Sequence, residues 1–541
     1  MWKRKTIFPI IALALLIQPL PLLSVPSPDF DGDGTVGFPD FLAFVEHFGT
    51  SRGDGKYEAK YDLDGNGTVE FSDFLAFVND FGKDVPPSDG DSTPVVIPDA
   101  NLRAVIADSL GKASGEAIIA VDMATLTRLE VPNKEIHDLT GLEFATNLTW
   151  LDLGSEFVSG SGGGYINNNN ISDFSPLSSL TSLERLYLDN TDIPDISVLS
   201  GLPNLTLLDL SYNSILDYSP LSKLTSLEGL SLRRIYLADI SDLISVLSGL
   251  PNLTLLDLNS NDTISDFSPL SSLPTLTRLS LISSSISDVS WISTLTNLEW
   301  LTLSYNDISD ITPLSNLTNL ETVWLGNNNI SDISAVANMT NLEWLRLERN
   351  SISDISALSD LTNLRSLWLS GNSISDISAL SGLTSLTSLY SYNCLISDIT
   401  PLSNLTRLER LSLNNYNIQG LSYNNISDIT PLSNLTNLRM LSLRINSISD
   451  LAPLVANTGL GDGDQVDMRS NPLSATSLNT HIPALQDRGV AVRFGSSKPA
   501  VQKNEDLRDI LGAVMKPFGD EEWKAEEYIY NRGNVDRLER R

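Results

Sequence analysis

A 22-residue period constrains this chain more than any other feature. Ile264, Ile286, Ile308, Ile330, Ile352, Ile374 and Ile396 are each 22 apart, and Ile171, Ile193, Ile215 and Leu237 keep the same step earlier. A clean unit, residues 298–319, reads LEWLTLSYNDISDITPLSNLTN. Repetition on this scale means stacked supersecondary units, none of which buries its apolar face alone. The pattern L-x-x-L-x-L-x-x-N-x-I sets the anatomy of each unit. Its L-x-L piece alternates, which predicts a short strand with leucines inward. Asn213, Asn261, Asn306, Asn328, Asn350, Asn372 and Asn446 fall where the chain turns inward, and a stacked amide ladder there would satisfy buried backbone groups. Cys394 occupies that ladder position and reads as a small buried residue.

The other half of the unit, I-S-D-I-x-P-L-S-N-L, holds two apolar anchors and a proline, which suits short 3-10 turns. Its Ser-Asp pair is expected to cap them. The Asp column (Asp288, Asp310, Asp332, Asp354, Asp376, Asp398) would stack about 5 Å apart. Three steps are stretched, to 35 residues between Ile136 and Ile171, 27 before Ile264 and 30 between Ile396 and Ile426. The first and last extensions, 154–169 and 416–425, read as surface loops. Residues 126–473 thus hold about fourteen repeats and a closing half-turn near Val466.

Units of this length carrying I-S-D-I-x-P-L resemble the internalins, leucine-rich-repeat proteins of bacterial surfaces. The resemblance covers about 400 residues. It implies an α/β leucine-rich-repeat solenoid, a curved parallel sheet with 3-10 turns on the convex side, and a binding role without catalysis. A helical N-terminal cap is expected over 97–125, where Leu102, Val105, Ile106 and Leu110 make a stripe behind an Asp99 cap. A C-terminal cap is expected over 474–495, with Leu478, Ile482 and Leu485 in a stripe ended by Gly489, and a final strand after it.

Ahead of the repeats, two segments match almost word for word. Residues 29–49 read DFDGDGTVGFPDFLAFVEHFG and residues 62–82 read DLDGNGTVEFSDFLAFVNDFG. Each places oxygen side chains at alternate positions, Asp29, Asp31, Asp33 and Asp40 in the first and Asp62, Asp64, Asn66 and Asp73 in the second. Alternate residues on a tightly curled loop converge, and Ca²⁺ takes about six to eight oxygens at ~2.3–2.6 Å. Gly34 and Gly67 supply the positive φ of the turn, and the carbonyls of Thr35 and Thr68 add backbone ligands. Val36 and Val69 are placed to pair the two loops. Each loop runs into an apolar helix, so residues 29–82 form a small all-α module that the metal would staple. Loop plus exiting helix, duplicated and closed by Asp, resembles a dockerin. The resemblance implies calcium binding and raises docking onto a cohesin-like partner. Residues 83–96 read as a linker.

The first 25 residues, with Lys3, Arg4 and Lys5 before an apolar stretch, read as an export signal. No later apolar run reaches spanning length, so the product is expected to be secreted or at the cell surface with no stable membrane span after cleavage. With one cysteine in 541 residues no intrachain disulfide can form. The 35 Lys and Arg against 67 Asp and Glu give a formal net charge of −32, which repels phosphate backbones and excludes nucleic acid as a natural partner. The tail, 496–541, is heavily charged, with Leu507, Ile510, Leu511 and Val514 able to form one amphipathic helix.

Residues between and beside the strand leucines face outward on the concave surface of such a coil. Five of the eight tryptophans fall there, Trp150, Trp300, Trp324, Trp344 and Trp368, four of them in consecutive repeats. Tyr305, Tyr390 and Tyr392 extend that area, with Arg346 and Arg349 beside it. The patch is roughly 19 Å wide at four strand spacings. Trp, Tyr and Arg carry interface energy, and exposed rings cost solubility unless covered. The rings would otherwise only stiffen the sheet by stacking. Two ligand classes stay open, a protein and a polysaccharide, and the chain is expected to act as a monomer. Asp152, Asp209 and Asp257 on the same face read as single and isolated, where acid–base catalysis needs paired carboxylates. His47, His137 and His481 are scattered.

Overall fold

The computed structural model describes residues 28, 30, 36, 38–63, 66–81, 94–158, 164–415 and 423–495. The expected export signal, 1–25, and the tail, 496–541, lie outside them. There are two compact units, one of residues 1–96 with 110–125 and one of 97–109 with 126–541. The stretch expected as a single cap, 97–125, is shared between the two.

In the larger unit, sixteen three-residue strands form one parallel sheet in chain order, from Arg128–Glu130 to Ala491–Arg493. The 22-residue step makes each repeat position pair with itself, so Leu279, Leu301, Val323, Leu345, Leu367 and Leu389 align in one buried column. Each such leucine contributes about 2 kcal/mol by leaving water. The strands stop after three residues because the chain then turns inward through a left-handed residue. Tyr212, Ser260, Tyr305, Asn327, Arg349 and Asn393 hold φ between 49 and 60°. The asparagine that follows this residue forms the expected ladder. Asn306 Nδ2 donates to the carbonyls of Leu281 (2.8 Å) and Leu303 (2.9 Å), and its Oδ1 accepts the Ile286 N–H (2.9 Å). Asn169, Asn424 and Asn471 do the same work, hidden in the sequence by irregular spacing. Cys394 is buried, its Sγ 3.5 Å from the Leu369 carbonyl.

On the outer side most coils make one 3-10 turn, and the coil before the last strands makes the short α-helix Ala452–Ala456 instead. The cap is the Asp alone. Asp288, Asp310, Asp332, Asp354, Asp376 and Asp398 each accept a backbone N–H from the Ser or Thr two residues on, at 2.8 Å. A second amide ladder went unread in the sequence. Asn297, Asn319, Asn341 and Asn363 donate to carbonyls of the preceding coil at 2.8–3.1 Å. The 27-residue step turns a 3-10 turn into the helix Ser241–Leu247. The 35-residue step inserts an antiparallel hairpin, Glu156–Val158 with Gly164–Ile166. In the 30-residue step, residues 416–422 lie outside the described residues.

The helix Ala100–Ser109 buries Leu102 and Ile106, and Asp99 accepts the N–H groups of Asn101 (2.9 Å) and Leu102 (3.0 Å). At the other end Ile482 and Leu485 are buried but Leu478 is 41% exposed, against expectation. The segment opens as a π turn, Ser477–His481, which rotates Ser477 inward. Its hydroxyl donates to the Ser449 carbonyl (2.8 Å) and accepts the Leu451 N–H (3.0 Å).

In the smaller unit the helices Phe38–His47 and Phe71–Asp80 bury Phe44 and Phe77 with ring centroids 5.5 Å apart. Val36 is buried with Leu63 and Phe77. The loop backbone departs from the expected Val36–Val69 pairing. Val69 instead donates to the Thr50 carbonyl (2.8 Å) and accepts from Gly49 (2.7 Å), so the chain leaving the first helix covers the second loop. The helix Ala120–Ala124 completes this unit, with Ile119 N–H bound to Asp122 (2.9 Å).

Candidate binding face

Residues at the first and third positions of each strand point away from the leucine core. Register sorts them into two columns. In the first, Trp300 and Trp344 flank Thr322, with Ser366 beyond. In the third-position column Thr302, Trp324, Arg346, Trp368 and Tyr390 are consecutive. Neighbouring strands lie ~4.8 Å apart, which is close to ring-stacking distance. The Arg346 guanidinium lies over Trp324 at 4.3 Å and over Trp368 at 4.4 Å, and Trp368 meets Tyr390 at 4.1 Å. Trp300 joins across the columns at 5.7 Å from Trp324. Thr302 beside Trp324, and Thr322 and Ser366 on either side of Trp344, leave room for those rings. All four tryptophans are partly exposed.

Tyr305, Arg349 and Tyr392 are not on the strands but in the inward turn just after them. Tyr305 and Arg349 occupy the left-handed position, which swings their side chains beyond the strand ends, and Tyr305 is 49% exposed. Burial holds the Tyr305 hydroxyl above its ordinary range, against the pull of the Arg349 charge. Glu348 lies down over Gly326, where a Cβ would sit 2.5 Å from its Oε1. Its Oε2 is shut off from solvent with no hydrogen-bond partner, and burial pushes its carboxyl above the usual carboxylate range. Neighbouring Arg346 and Arg349 pull the other way without winning.

A second stack at the other end of the sheet is the Arg128–Trp150–Arg185 column, with guanidinium carbons 3.8 and 5.1 Å from the Trp150 ring centre. The tryptophan was legible in the sequence; its cations needed the register. The acids between the two stacks are not isolated as expected. Asp257 pairs with Arg233 at 2.7 Å. The Asp189 carboxylate fills the space above Gly154, whose N–H binds Asp152 at 3.0 Å. Burial, with the Asp189 charge beside it, pushes the Asp209 carboxyl up to about 6. The 35-residue step hid the closeness of Asp152 and Asp189.

Of the predicted calcium ligands, Asp29, Asp31, Asp33, Thr35 and Asp64 lie outside the described residues. Asp40, Asp62 and Asp73 are buried. Asp40 accepts the Phe30 N–H (2.6 Å), Asp73 that of Glu70 (2.8 Å), and Asp62 that of Gly67 (2.7 Å) with the Tyr57 hydroxyl (2.6 Å). Asn66 accepts the Thr68 N–H (2.9 Å), and Gly67 has φ +93°. Among the described residues no helix is long and apolar enough to cross a membrane.

Comparison with known proteins places the repeats. The family described as Leucine Rich repeats (2 copies) matches residues 296–338, 340–382 and 362–390. An internalin of Listeria monocytogenes is 37% identical, with a TM-score of 0.52 over 63% of this chain and 94% of that one. A leucine-rich-repeat protein of Leptospira interrogans is 21% identical, with a TM-score of 0.55 over 69% of this chain and 97% of its own, a likeness of fold. No curated protein matches the chain.

Proposed function

Because the chain belongs to the internalin-like leucine-rich-repeat proteins, we propose that it is a non-catalytic binding protein, secreted or held at the cell surface, that captures a protein ligand on the strand face of its repeats. The observation that carries this is the continuous Trp324–Arg346–Trp368–Tyr390 stack on an exposed sheet face. Such residues form hot spots when a partner excludes water around them. Ring geometry favours a protein over a polysaccharide. A sugar needs an open ring face, and Arg346 and the neighbouring rings already lie against Trp324 and Trp368.

The test offers the immobilised full chain a displayed library of folded protein domains and, separately, a glycan array. Protein capture by the wild type, lost in Trp324→Ala with Trp368→Ala while circular dichroism is unchanged, is the expected result. Glycan binding without protein capture, or capture that survives the double substitution, retires the reading.

Calcium holds the N-terminal module in this proposal. Asp40, Asp62 and Asp73 bury carboxylates in a unit with no disulfide, and Gly67 curls the second loop around Asp62 and Asn66, a donor set that suits a hard cation. Bound Ca²⁺ would supply the cross-link between loop and helix. The exposed Leu42, Val45, Phe48, Phe71 and Phe81 support docking of this module on a cohesin-like partner. Chelation is expected to melt residues 29–82 and spare the repeats, as read by hydrogen exchange. Exchange in the module that calcium leaves unchanged removes the metal from the account.

A further inference from the structure

We propose that the flank of three consecutive coils is a second docking surface, separate from the ring patch: the apolar row Pro194, Leu216 and Ala238, with Tyr236 beside it, receives the apolar stripe of a basic amphipathic helix on a partner protein. The sheet register Leu186, Leu208, Leu230 keeps the 22-residue step, so the row residues stand one above another, between the strand end and the outer turn of their coils. In the coils that follow, the same position holds Ser265, Ser287, Ser309, Ser331, Ser353 and Ser375, all exposed. Leu216 is 94% exposed, more than any other large apolar side chain among the described residues, and Tyr236 is 58% exposed. The coil does not need them there. The buried anchors Ile193 and Ile215, one residue before Pro194 and Leu216, already fill the core. Tyr236 also holds φ at 56°, a left-handed conformation costly for a bulky side chain and taken by Asp192 and Ser285 in equivalent places. Large apolar groups kept in water, where a hydroxyl serves other coils, mark a contact surface.

The charge around the row sets the chemistry of the partner. Asp195, Asp217 and Asp239 each follow the row residue of their coil and are exposed. Hydrogen bonds from Ser219 and Ser241 hold the Asp217 and Asp239 carboxyls below the usual carboxylate range, so both stay ionised. Asp192 stands in the Tyr236 column two coils away. Arg234, 5.7 Å from the Tyr236 ring centre, and Lys223, at the end of the outer turn after Leu216, offset part of this charge. Acids remain in excess, and the −32 net charge of the chain favours a basic partner in the same sense. Spacing sets the partner's form. Coils step by about 5 Å, which makes the row ~10 Å long. Apolar residues at i, i+3 or i+4, and i+7 of an α-helix span ~10.5 Å in two similar steps. A strand would present same-face side chains ~7 Å apart and fall out of step with the coils.

The test is selection of a displayed library of single α-helices on the full chain, with counter-selection on Leu216→Ser with Tyr236→Ser. These changes give both positions the residues of the coil that holds Ser285 and Ser287. Enriched helices are expected to carry an apolar stripe with Lys or Arg beside it. The serine variant should weaken them about 10–100-fold, the effect of one apolar side chain left unburied. Asp217→Asn with Asp239→Asn keeps the turn caps and removes the charge, and should weaken them about 3–10-fold with a shallower salt dependence. The same pair of changes at Asp310 and Asp332, away from the row, should leave affinity as it is. Circular dichroism checks the fold. If the serine variant melts earlier, helices with Lys and Arg replaced by Gln, offered to the wild type, decide alone. No enrichment over the serine variant, or enriched helices that lack basic residues, overturns the proposal. Binding that falls with Trp324→Ala plus Trp368→Ala and survives the serine variant belongs to the ring patch and overturns it too. Self-association of the wild type that the serine variant loses would give the row to a second copy of the chain and equally retire the basic partner.

Discussion

Replacing Asn328 with alanine tests whether the amide ladder, and not leucine burial alone, holds neighbouring coils in register. Asn328 is buried, and its Nδ2 donates to the carbonyls of Leu303 and Leu325, both at 3.0 Å. Its Oδ1 accepts the Ile308 N–H at 3.0 Å. Alanine strands the Ile308 N–H away from water, while the carbonyls of Leu303 and Leu325 each lose one donor and keep another, Asn306 and Asn350, both at 2.9 Å. The stranded N–H costs about 1–3 kcal/mol and the carbonyls' lost second donors add less, so a loss of about 2–3 kcal/mol is expected. The chain contains the reverse experiment. Cys394 holds the ladder position with a weak donor 3.5 Å from the Leu369 carbonyl. Cys394→Asn should bond that carbonyl properly and give the Ile374 N–H the acceptor its counterparts have, a gain of about 1–2 kcal/mol. A solenoid unfolds by neighbouring units, so the assay is native-state hydrogen exchange under rising urea, read at single amides. Asn328→Ala should accelerate exchange at Ile308 and nearby coils and leave the ends of the sheet alone. Cys394→Asn should slow exchange at Ile374. A cost below about 1 kcal/mol for Asn328→Ala, with Ile308 still protected, would refute the argument.

Three further outcomes follow from named contacts. The turn-capping aspartates, among them Asp310 and Asp398, are held below their ordinary range by hydrogen bonds from Thr312 and Thr400. Depressed folded values mean stability present above the unfolded range near pH 4 and lost as pH falls through the folded values, so acid unfolding should begin below about pH 4 and be delayed in no repeat that keeps its cap. Asp209 has the opposite sign. Raised to about 6, it gives stability that is full below the unfolded value and lost as pH rises through 6. Asp209→Asn should therefore stabilise the chain at pH 8 by up to ~3 kcal/mol and flatten the slope between about pH 4 and 6, measured by urea titration at each pH. Gly459→Ala would put a Cβ 1.9 Å from the Thr436 carbonyl oxygen, a clash with backbone that should cost about 3 kcal/mol and loosen the last coils in hydrogen exchange.

The period, the inward leucines, the asparagine ladder and the tryptophan-bearing strands are all local, and a few consecutive repeats are enough to read them. A fixed 22-residue step leaves the sheet little choice, because any other register would turn polar positions inward. Leu478 and Ser477 show where local reading stops. A stripe of apolar spacing suggested Leu478 faces in, but a π turn at the helix start shifts the register by one residue, and only packing against the last coil decides that. The acids failed for a related reason. Asp152 and Asp189 are far apart along the chain and adjacent in space, since an inserted hairpin separates two coils that still stack.

The sequence by itself determined the coil and which side chains leave it, because both follow from the alternation of three-residue strands and the spacing of their leucines. Only the tertiary structure decided what those side chains do to one another. Whether Arg346 is sandwiched by Trp324 and Trp368, or Glu348 folded back over Gly326, depends on which residues stand beside them one coil away. That adjacency, a strand spacing across and 22 residues along the chain, is created only when the coils stack.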